Sequence, residues 1–364
     1  MPIVTHSRKA FQCGLLEALD VLAELADVDF VNLEPTKSFE SRMSLLKRWL
    51  YHDITRKLAF ANPGLRPVRL RKEYDLLVLV CPNWWDVLHI NAIHGLRDRC
   101  RTSLCWIDEL WAHSVPEYKY WLPLLRVFDH VVLGLNDSTR PVSDAIGKPC
   151  HYVPGGVDTL RFSPYPNPPK RSVDVYSIGR RWEGIHRTLV NLARTKQLFY
   201  LFDTLQSGDS IVRDHREHRE LYASVAKRST FFMVAPPKID LQKETGGQIE
   251  VPFRYYEGAA AGCVLIGQAL QCEPFRRMFD WENAVIEVQP DGSDIIEALS
   301  RLLAEPGLVA KISRTNAAEA MLRHDWVYRW KQILNIARLD CHQAMEDREK
   351  RLRALAGLAT ASLS

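Results

Sequence analysis

Short apolar runs alternate with longer amphipathic stretches along most of the chain. Residues 75–80 are almost continuously apolar, which is typical of a strand buried on both faces of a parallel sheet. Residues 11–25 instead repeat their apolar positions with the period of a helix. Because strands and helices alternate in this way, the pattern predicts βαβ units and a doubly wound α/β sheet.

The alternation is found in both halves of the chain. In the first half it predicts strands at 3–4, 28–33, 75–80, 103–107, 130–133 and 151–154, and helices at 11–25 and 38–60. In the second half it predicts strands at 173–178, 199–202, 230–234, 263–266 and 284–288, and helices at 187–195, 214–227, 255–261 and from 294 onward.

A proline-rich segment at 163–169 separates the two halves. It holds four of the chain's 20 prolines, so it is stiff and extended, as linkers between domains often are. We therefore expect an N-terminal Rossmann-like domain at 1–165 and a C-terminal one at 170–340. The charged helical pattern at 341–364 is expected to pack back on the first domain. Two such halves would leave a cleft, with ligands at the C-terminal ends of the strands.

Composition narrows the range of functions. No Cys-x-x-Cys pair occurs among the eight cysteines, so neither a zinc ribbon nor a redox motif is indicated. A net charge of +4 is too small to indicate nucleic acid as a partner. The start of the chain lacks a signal peptide's apolar region, and the longest apolar run, 76–81, is far shorter than the ~20 residues that span a bilayer. We expect a cytoplasmic protein.

Two places in the second half suit a phosphate and a ribose. Gly179, Arg180 and Arg181 follow a predicted strand just before a helix, where guanidinium groups and the helix N-terminus can bind phosphate together. The competing interpretation is a solvated pair of surface charges. Glu257 lies in the first turn of a short helix of small residues, and its carboxylate could accept hydrogen bonds from two ribose hydroxyls. Its competing role is to complement the helix dipole.

Two further places are less specific. Gly155 and Gly156 end a strand, which suits the close approach of a ligand or a plain tight turn. In the first half, segments 84–86 and 106–111 place tryptophans and carboxylates after two buried strands. Such groups suit a sugar, but core tryptophans with incidental acids would give the same pattern.

Taken in order, these parts resemble the family 4 (group 1) glycosyltransferases, near the spore-maturation-type branch, over residues 136–334. Segment 153–164 is similar to the family's "PNGVD…F.P", 178–180 to its "GR" phosphate loop, and 254–262 to its donor-site helix. The resemblance implies the GT-B fold, in which two Rossmann-like, doubly wound parallel-sheet domains face a cleft.

The same resemblance implies the activity. It indicates a metal-independent, retaining transferase of the hexosyltransferase type, which moves a sugar from a nucleotide-diphosphate sugar to a carbohydrate, lipid-linked or small-molecule acceptor. No cofactor is expected, because the nucleotide sugar is a substrate.

Roles carry over by position. Glu257 would hold the donor ribose, Arg180 or Arg181 the diphosphate, and Asp108 would be the catalytic acidic residue facing the acceptor. The expected donor-binding residues are Gly179, Arg180, Arg181, Gly246, Gly247, Arg254, Tyr255, Glu257 and Gly258, and no metal ligand is expected.

Two departures from the family pattern motivate an alternative function. Ile249 stands where the family has a glutamate, with Glu250 one position away, and the lysine after the phosphate arginine is missing. Candidates for the lost positive charge are Arg254, Arg187 and His186. The alternative is a non-catalytic GT-B-like protein that binds a nucleotide sugar or glycan and supports a partner enzyme.

Two other enzyme classes fit less well. Asp27-Val28-Asp29 has the letters of a metal-binding Asp-x-Asp motif but precedes a strand instead of following one. Glycosidase carboxylates need a separation that a sequence does not give, and the two-domain pattern disfavours that class.

A basic stretch at 42–72 combines cations with an apolar helical face. Such helices adsorb to anionic lipid, which would place the protein at the inner face of the membrane as a peripheral contact. A helix packed on its own domain with a solvated basic side is the favoured interpretation. The cations are Arg42, Lys47, Arg48, Arg56, Lys57, Arg66, Arg69, Arg71 and Lys72.

Overall fold

The computed structural model describes residues 2–3, 10–34, 36, 59–204 and 212–361. The described strands are β1 Pro2–Ile3, β2 Asp29–Phe30, β3 Val68–Arg69, β4 Tyr74–Asn83, β5 Ile93–His94, β6 Cys100–Glu109, β7 His130–Leu133, β8 Cys150–Tyr152, β9 Val173–Ser177, β10 Tyr200–Phe202, β11 Ser229–Met233, β12 Val264–Gly267 and β13 Ile286–Glu287.

The described α-helices follow the same chain order. They are α1 Cys13–Leu25, α2 Leu96–Arg99, α3 Thr139–Ile146, α4 Thr159–Phe162, α5 Glu183–Arg194, α6 His215–Lys227, α7 Gln242–Thr245, α8 Phe253–Ala260, α9 Glu273–Met278, α10 Ile295–Ala304, α11 Pro306–Arg323, α12 Trp326–Ile336 and α13 Gln343–Ala361. The described 3-10 segments lie between strands of the first half and are Ala10–Gln12, Trp84–Ala92, Ala112–Tyr118 and Leu122–Val127.

The described residues form two compact units. The first takes its residues from Met1–Ser7, Leu25–Pro154 and Lys331–Cys341. The second takes them from Arg8–Glu24, Gly155–Trp330 and His342–Ser364.

A parallel sheet forms the centre of the first unit. Its described strands run in the order β2-β1-β4-β6-β7-β8, and β3 pairs with β5 in a separate parallel ladder. Residues Leu77–Cys81 of β4 and Leu104–Cys105 of β6 have no exposed surface. This burial on both faces confirms the interpretation of their continuous apolar runs.

The second unit has its own parallel sheet, in the order β10-β9-β11-β12-β13. Successive side chains of β11 enter different cores: Phe231 packs with Val264, and Phe232 packs with Leu265. Since neighbouring residues of a strand point to opposite faces, the sheet is covered on both sides. The predicted doubly wound α/β class is confirmed.

The units differ from the predicted domain boundaries at both chain termini. Helix α1 belongs to the second unit, where Trp330 Nε1 donates to the Ala18 carbonyl at 2.7 Å. Helix α13, which was expected on the first domain, also belongs to the second unit. There Arg348 donates to Asp325 at 2.8 Å and to Asp158 at 2.6 Å. A buried hydrogen bond therefore holds α1 in the second unit, and buried ionic contacts hold α13 there.

Two predicted features fall partly outside the described residues. The helix expected at 38–60 and most of the basic 42–72 stretch lie there. Of the described cations in that stretch, Arg66 pairs with Glu34 and Lys72 with Asp29, each in the first unit. None of the helices in the described ranges is long and apolar enough to cross a membrane.

Candidate functional site

The loop between β9 and α5 is shaped by Gly179 and Arg254. Gly179 has φ +71°, a left-handed conformation that favours glycine. A Cβ atom at this position would lie 2.9 Å from Arg254 Cζ. Arg254 Nη1 also donates to the Arg180 carbonyl at 3.1 Å. The glycine therefore makes room for a cation from the start of α8 beside the loop.

Two carboxylates orient the arginines of this loop. Arg181 Nη2 donates to Asp203 Oδ1 at 2.6 Å, and the Gly179 amide donates to Asp203 Oδ2 at 2.8 Å. Arg180 Nε donates to Asp240 Oδ1 at 2.7 Å. At the C-terminal end of β9, Gly179 and Arg180 thus contact Arg254, while Arg181 and Gly179 share Asp203.

Two donors in the loop are buried without an acceptor among the described residues. These are Arg181 Nη1 and Trp182 Nε1. Both residues line a pocket beside the N-terminus of α5. Buried donors of this kind are rare unless a ligand, water or ion accepts their hydrogen bonds. The pocket is lined by Ser177, Arg180, Arg181, Trp182, Ile185, His186, Tyr200, Met233, Val234 and Ala235.

His186 contributes a neutral ring to the pocket. Burial lowers the pKa of His186 below its usual value, and the neighbouring Arg181 lowers it further. Its Nδ1 lies 3.0 Å from the Tyr200 hydroxyl. At neutral pH the positive charge at this site therefore comes from arginines.

The structure places Glu257 in a buried network on α8. Its side chain is 4% exposed, and both carboxylate oxygens accept hydrogen bonds, one from Arg219 and one from the Tyr222 hydroxyl at 2.8 Å. Arg219 also donates to Glu17 on α1, at 2.6 Å and 3.0 Å. A ribose would have to compete with these partners.

Arg219 is charged between the two carboxylates. Burial alone lowers the pKa of Arg219, but Glu17 and Glu257 outweigh that effect and raise the pKa above its usual value. The Arg219 guanidinium also lies over the rings of Phe162 and Tyr222, 4.7 Å and 5.4 Å from their centroids. Helices α1, α6 and α8 are therefore joined through one buried cation.

Tyr255 and Gly258, also predicted to bind the donor, serve the packing of α8. Tyr255 is buried and its hydroxyl donates to the Gln268 carbonyl at 2.8 Å. A Cβ atom on Gly258 would lie 2.6 Å from Leu265 and 2.8 Å from Phe232. The missing side chain lets the helix pack tightly against the sheet.

The remaining predicted glycines lie in loops. Gly246 caps α7 with φ +60°, and Gly247 has φ +82° with open space where a side chain would be. Gly155 and Gly156 pack tightly: Cβ atoms there would lie 3.0 Å from the Phe253 ring and 2.9 Å from Trp326. The 246–247 loop thus keeps room for a ligand, and the 155–156 turn does not.

Asp108 lies at the C-terminal end of β6 in the first unit. Burial raises the pKa of Asp108 to about 7, and Glu109 adds to the shift. None of the described residues hydrogen-bonds its carboxyl group. A Cβ atom on Gly134, after β7, would lie 3.0 Å from Asp108 Oδ1, so glycine is needed beside it. A carboxyl group with a pKa near 7 can take up and release protons at neutral pH.

An aromatic cluster lies next to Asp108 along the same sheet edge. Trp84 stacks on Tyr118, with ring centroids 3.5 Å apart, and contacts Trp121 at 4.2 Å. Trp85 meets Trp84 edge-on at 5.4 Å. The Asp86 carboxylate accepts a hydrogen bond from the Asn83 backbone amide at 2.9 Å. Both predicted groups of aromatics and acids therefore share one edge.

Sequence reasoning missed several residues that shape the site. Asp203 and Asp240 orient the arginines, Arg219 and Glu17 hold Glu257, and Trp182 lines the pocket. For Trp182 a signal existed, since it directly follows the arginines. The others come from distant segments, and no local pattern marks them.

The comparisons with known proteins give a family-model match and several structural matches. A family model described as glycosyl transferase-like matches residues 172–335, from β9 into α12. No curated protein matches the chain by sequence.

Solved structures match nearly the whole chain. Anabaena HepE in complex with UDP-glucose is 12% identical, with a TM-score of 0.52, over 92% of this chain and 98% of that one. An alpha-glucosyltransferase in complex with UDP and a 13-mer DNA is 11% identical, with a TM-score of 0.52, over 93% and 99%.

These likenesses confirm the GT-B fold class and the predicted resemblance to glycosyltransferases. Most of the residues that match the family model belong to the second unit. Membership of family 4 in particular stays a prediction.

Proposed function

We propose that this protein is a glycosyltransferase that binds a nucleotide-diphosphate sugar at the C-terminal end of β9. The observation that carries the proposal is the group of cations and unpaired buried donors there, in the domain that matches the glycosyltransferase model. The solved relatives of the same fold were crystallised with UDP or UDP-glucose, which supports a nucleotide donor.

The chemistry assigned to the loop is stabilisation of the leaving group. When the bond between the anomeric carbon and the diphosphate oxygen breaks, negative charge develops on the diphosphate. Arg180, Arg181, Arg254 and the N-terminus of α5 would stabilise that charge without a metal ion.

The acceptor hydroxyl then forms the new bond to the anomeric carbon. In the proposed retaining reaction its proton passes to the departing diphosphate. Asp108 is the proposed acceptor-side residue, because its carboxyl group has no hydrogen-bond partner among the described residues and burial raises its pKa to about 7. The proposed acceptor is a carbohydrate, lipid-linked or small molecule, and no nucleic acid is proposed.

The donor assignment is tested by measuring diphosphate binding. Thermal shifts with UDP, GDP, ADP and TDP would be compared for wild type, Arg181→Ala and Arg194→Ala. A ligand at ~100 times its Kd stabilises the folded state by about 2.7 kcal/mol. We expect one diphosphate to stabilise wild type and Arg194→Ala, and to bind Arg181→Ala at least ~10-fold more weakly, since a charge-assisted bond worth ~1.4 kcal/mol is lost.

Arg194 is the matched control because it lies on the same helix, α5, at the opposite end and exposed. A folded wild-type protein that none of the diphosphates stabilises would contradict the proposal.

The second candidate function is a non-catalytic nucleotide-sugar or glycan-binding protein that supports a partner enzyme. The occupied carboxylate of Glu257 favours it, since the expected ribose ligand is already paired with Arg219 and Tyr222. Measuring the release of nucleotide diphosphate from a nucleotide sugar distinguishes the transferase from the non-catalytic binding protein. Turnover that falls in Arg181→Ala supports the transferase. Tight binding without turnover supports the alternative.

A further inference from the structure

We infer that the C-terminal edge of the first unit's sheet, at Trp85, Asp108 and Glu109, binds a neutral carbohydrate as the acceptor. This inference rests on the proposed transferase function and narrows its acceptor to one chemical class. Trp85 is exposed and held by Trp84, and the Asp108 carboxyl group has no hydrogen-bond partner among the described residues. The side chains nearby also carry mainly carboxyl groups.

Trp85 is exposed at a place where its position is fixed. Its side chain is 38% exposed, whereas Trp121 beneath the cluster is 3% exposed. Trp84, clamped between Tyr118 and Trp121, contacts Trp85 edge-on at an interplanar angle of 80°. A rigid indole loses little entropy on binding and can stack on the apolar face of a sugar ring.

The pairing register of β4 and β6 brings hydrogen-bond-accepting carboxyl groups to the same sheet edge as Trp85. Asn83 of β4 pairs with Glu109 of β6, so Trp85 and Asp108 both lie at the C-terminal ends of neighbouring strands. Ligands of parallel sheets bind at such ends. The Asp108 carboxyl group has no partner among the described residues, and a sugar hydroxyl could donate a hydrogen bond to it. Glu109 accepts a hydrogen bond from Trp111 Nε1 at 2.8 Å.

The charges at this edge disfavour an anionic acceptor. Asp86, Asp108 and Glu109 bring carboxyl groups to it. The first lysine or arginine after Glu109 in the chain is Lys119, which lies over the Tyr120 ring at 5.2 Å from the centroid. Like charges at short range lower affinity and exclude unsuitable partners. A phosphorylated or sulfated acceptor would meet these carboxylates, whereas a neutral sugar would use them as hydrogen-bond acceptors.

The test is binding of full-length protein to an array of neutral, sialylated and sulfated oligosaccharides. Wild type would be compared with Trp85→Ala, Trp85→Phe and Phe199→Ala, an exposed aromatic of the second unit. We expect wild type to bind neutral glycans in preference to acidic ones. Trp85→Ala should weaken this binding about 10-fold, Trp85→Phe less, and Phe199→Ala not at all.

UDP binding, measured by calorimetry on the same variants, keeps this inference separate from the proposed function. UDP affinity should be unchanged in Trp85→Ala. Three results would overturn the acceptor inference alone in a protein that still binds UDP. These are no binding of neutral glycans, a preference for acidic glycans, or an unchanged glycan affinity in Trp85→Ala. Neutral-glycan binding that depends on Trp85, in a protein that binds no nucleotide diphosphate, supports the site and contradicts the donor proposal.

Discussion

Arg219 shows how much one buried side chain can decide. It is 3% exposed and lies between the carboxylates of Glu17 and Glu257. A pair of buried carboxylates is tolerated only while a cation compensates their charge. Glu257 was predicted as a ribose ligand, and its geometry in the structure is fixed by this arginine.

Removing that cation should strongly destabilise the second unit. We expect Arg219→Met to lower the free energy of unfolding by about 3–5 kcal/mol, because two buried carboxylates lose their partner. Arg216→Ala is the matched control on the same helix. The Arg216 side chain is 63% exposed, and its partner Asp20 also pairs with His215, so loss of the arginine should cost about 1 kcal/mol or less. Urea unfolding curves measure both, and equal midpoints for the two variants would contradict the prediction.

Asp108 gives a prediction about pH. Burial raises the pKa of the folded protein's Asp108 from 3.8 to about 7, so the folded state holds a proton that the unfolded state has already lost. This stabilising effect is complete below the unfolded pKa and is lost as the pH rises through about 7.

Asp108→Asn removes the titration. We therefore expect the variant to gain stability relative to wild type above about pH 7, with the gain shrinking steadily as the pH falls towards 4. Denaturant unfolding at several pH values measures the difference. Asp144→Asn, at an exposed position of the same unit, serves as control. A stability difference for Asp108→Asn that does not vary with pH would show that the carboxyl group is not buried as described.

At the scale of elements, the β9–α5 loop depends on a glycine and a distant arginine. Gly179 provides the left-handed turn and the space in which Arg254 packs. Strand β9, the loop and helix α8 are thereby coupled, although 74 residues separate Arg180 from Arg254. This coupling can be measured directly.

Gly179→Ala should both strain the backbone and displace Arg254. We expect a loss of about 1–2 kcal/mol in stability from the left-handed conformation, together with weaker diphosphate binding. The binding losses of Gly179→Ala and Arg254→Ala should be less than additive, since both act through one guanidinium group.

Gly307→Ala is the control for this cycle, because Gly307 lies near the start of α11 with open space around it and no left-handed conformation. It should be neutral or slightly stabilising. Fully additive effects of Gly179→Ala and Arg254→Ala on diphosphate binding would mean that the two residues act independently.

At the scale of the whole molecule, chain order and spatial grouping differ. Helix α1 follows β1 of the first unit in sequence but packs in the second unit. Its residue Ala18 has no exposed surface and receives the Trp330 indole hydrogen bond. The stability of the second unit should therefore depend on a segment from the start of the chain.

Ala18→Asp tests this dependence by burying a charge in α1. We expect hydrogen exchange to speed up for the amides of β9, β11 and β12, and to stay unchanged for β4 and β6. Ala23→Asp, on the exposed side of the same helix, should change neither sheet. Faster exchange in β4 and β6 alone would place α1 with the first unit.

The strand pattern was predictable because burial on both faces leaves a local trace. The continuous apolar runs of β4, β6 and β12 follow from their position inside parallel sheets, and the predicted strands at 130–133 and 173–178 agree closely with β7 and β9. The arginines before α5 were found for a similar reason, since strand, glycine, cation and helix lie within a few residues. The doubly wound α/β class was predictable from these local signals, and the GT-B fold was implied by the resemblance to family 4 glycosyltransferases.

The tertiary structure alone decided which charges meet. Glu257 was expected to face a ribose, but its partner Arg219 lies 38 residues away and Arg219's second partner, Glu17, lies 202 residues away. No periodicity or motif encodes a contact at such separation, because it depends on how helices pack after the sheets form. Sequence therefore determined the sheets and the glycine-arginine loop before α5, while long-range packing determined the surroundings of each carboxylate and the unit that holds each terminal helix.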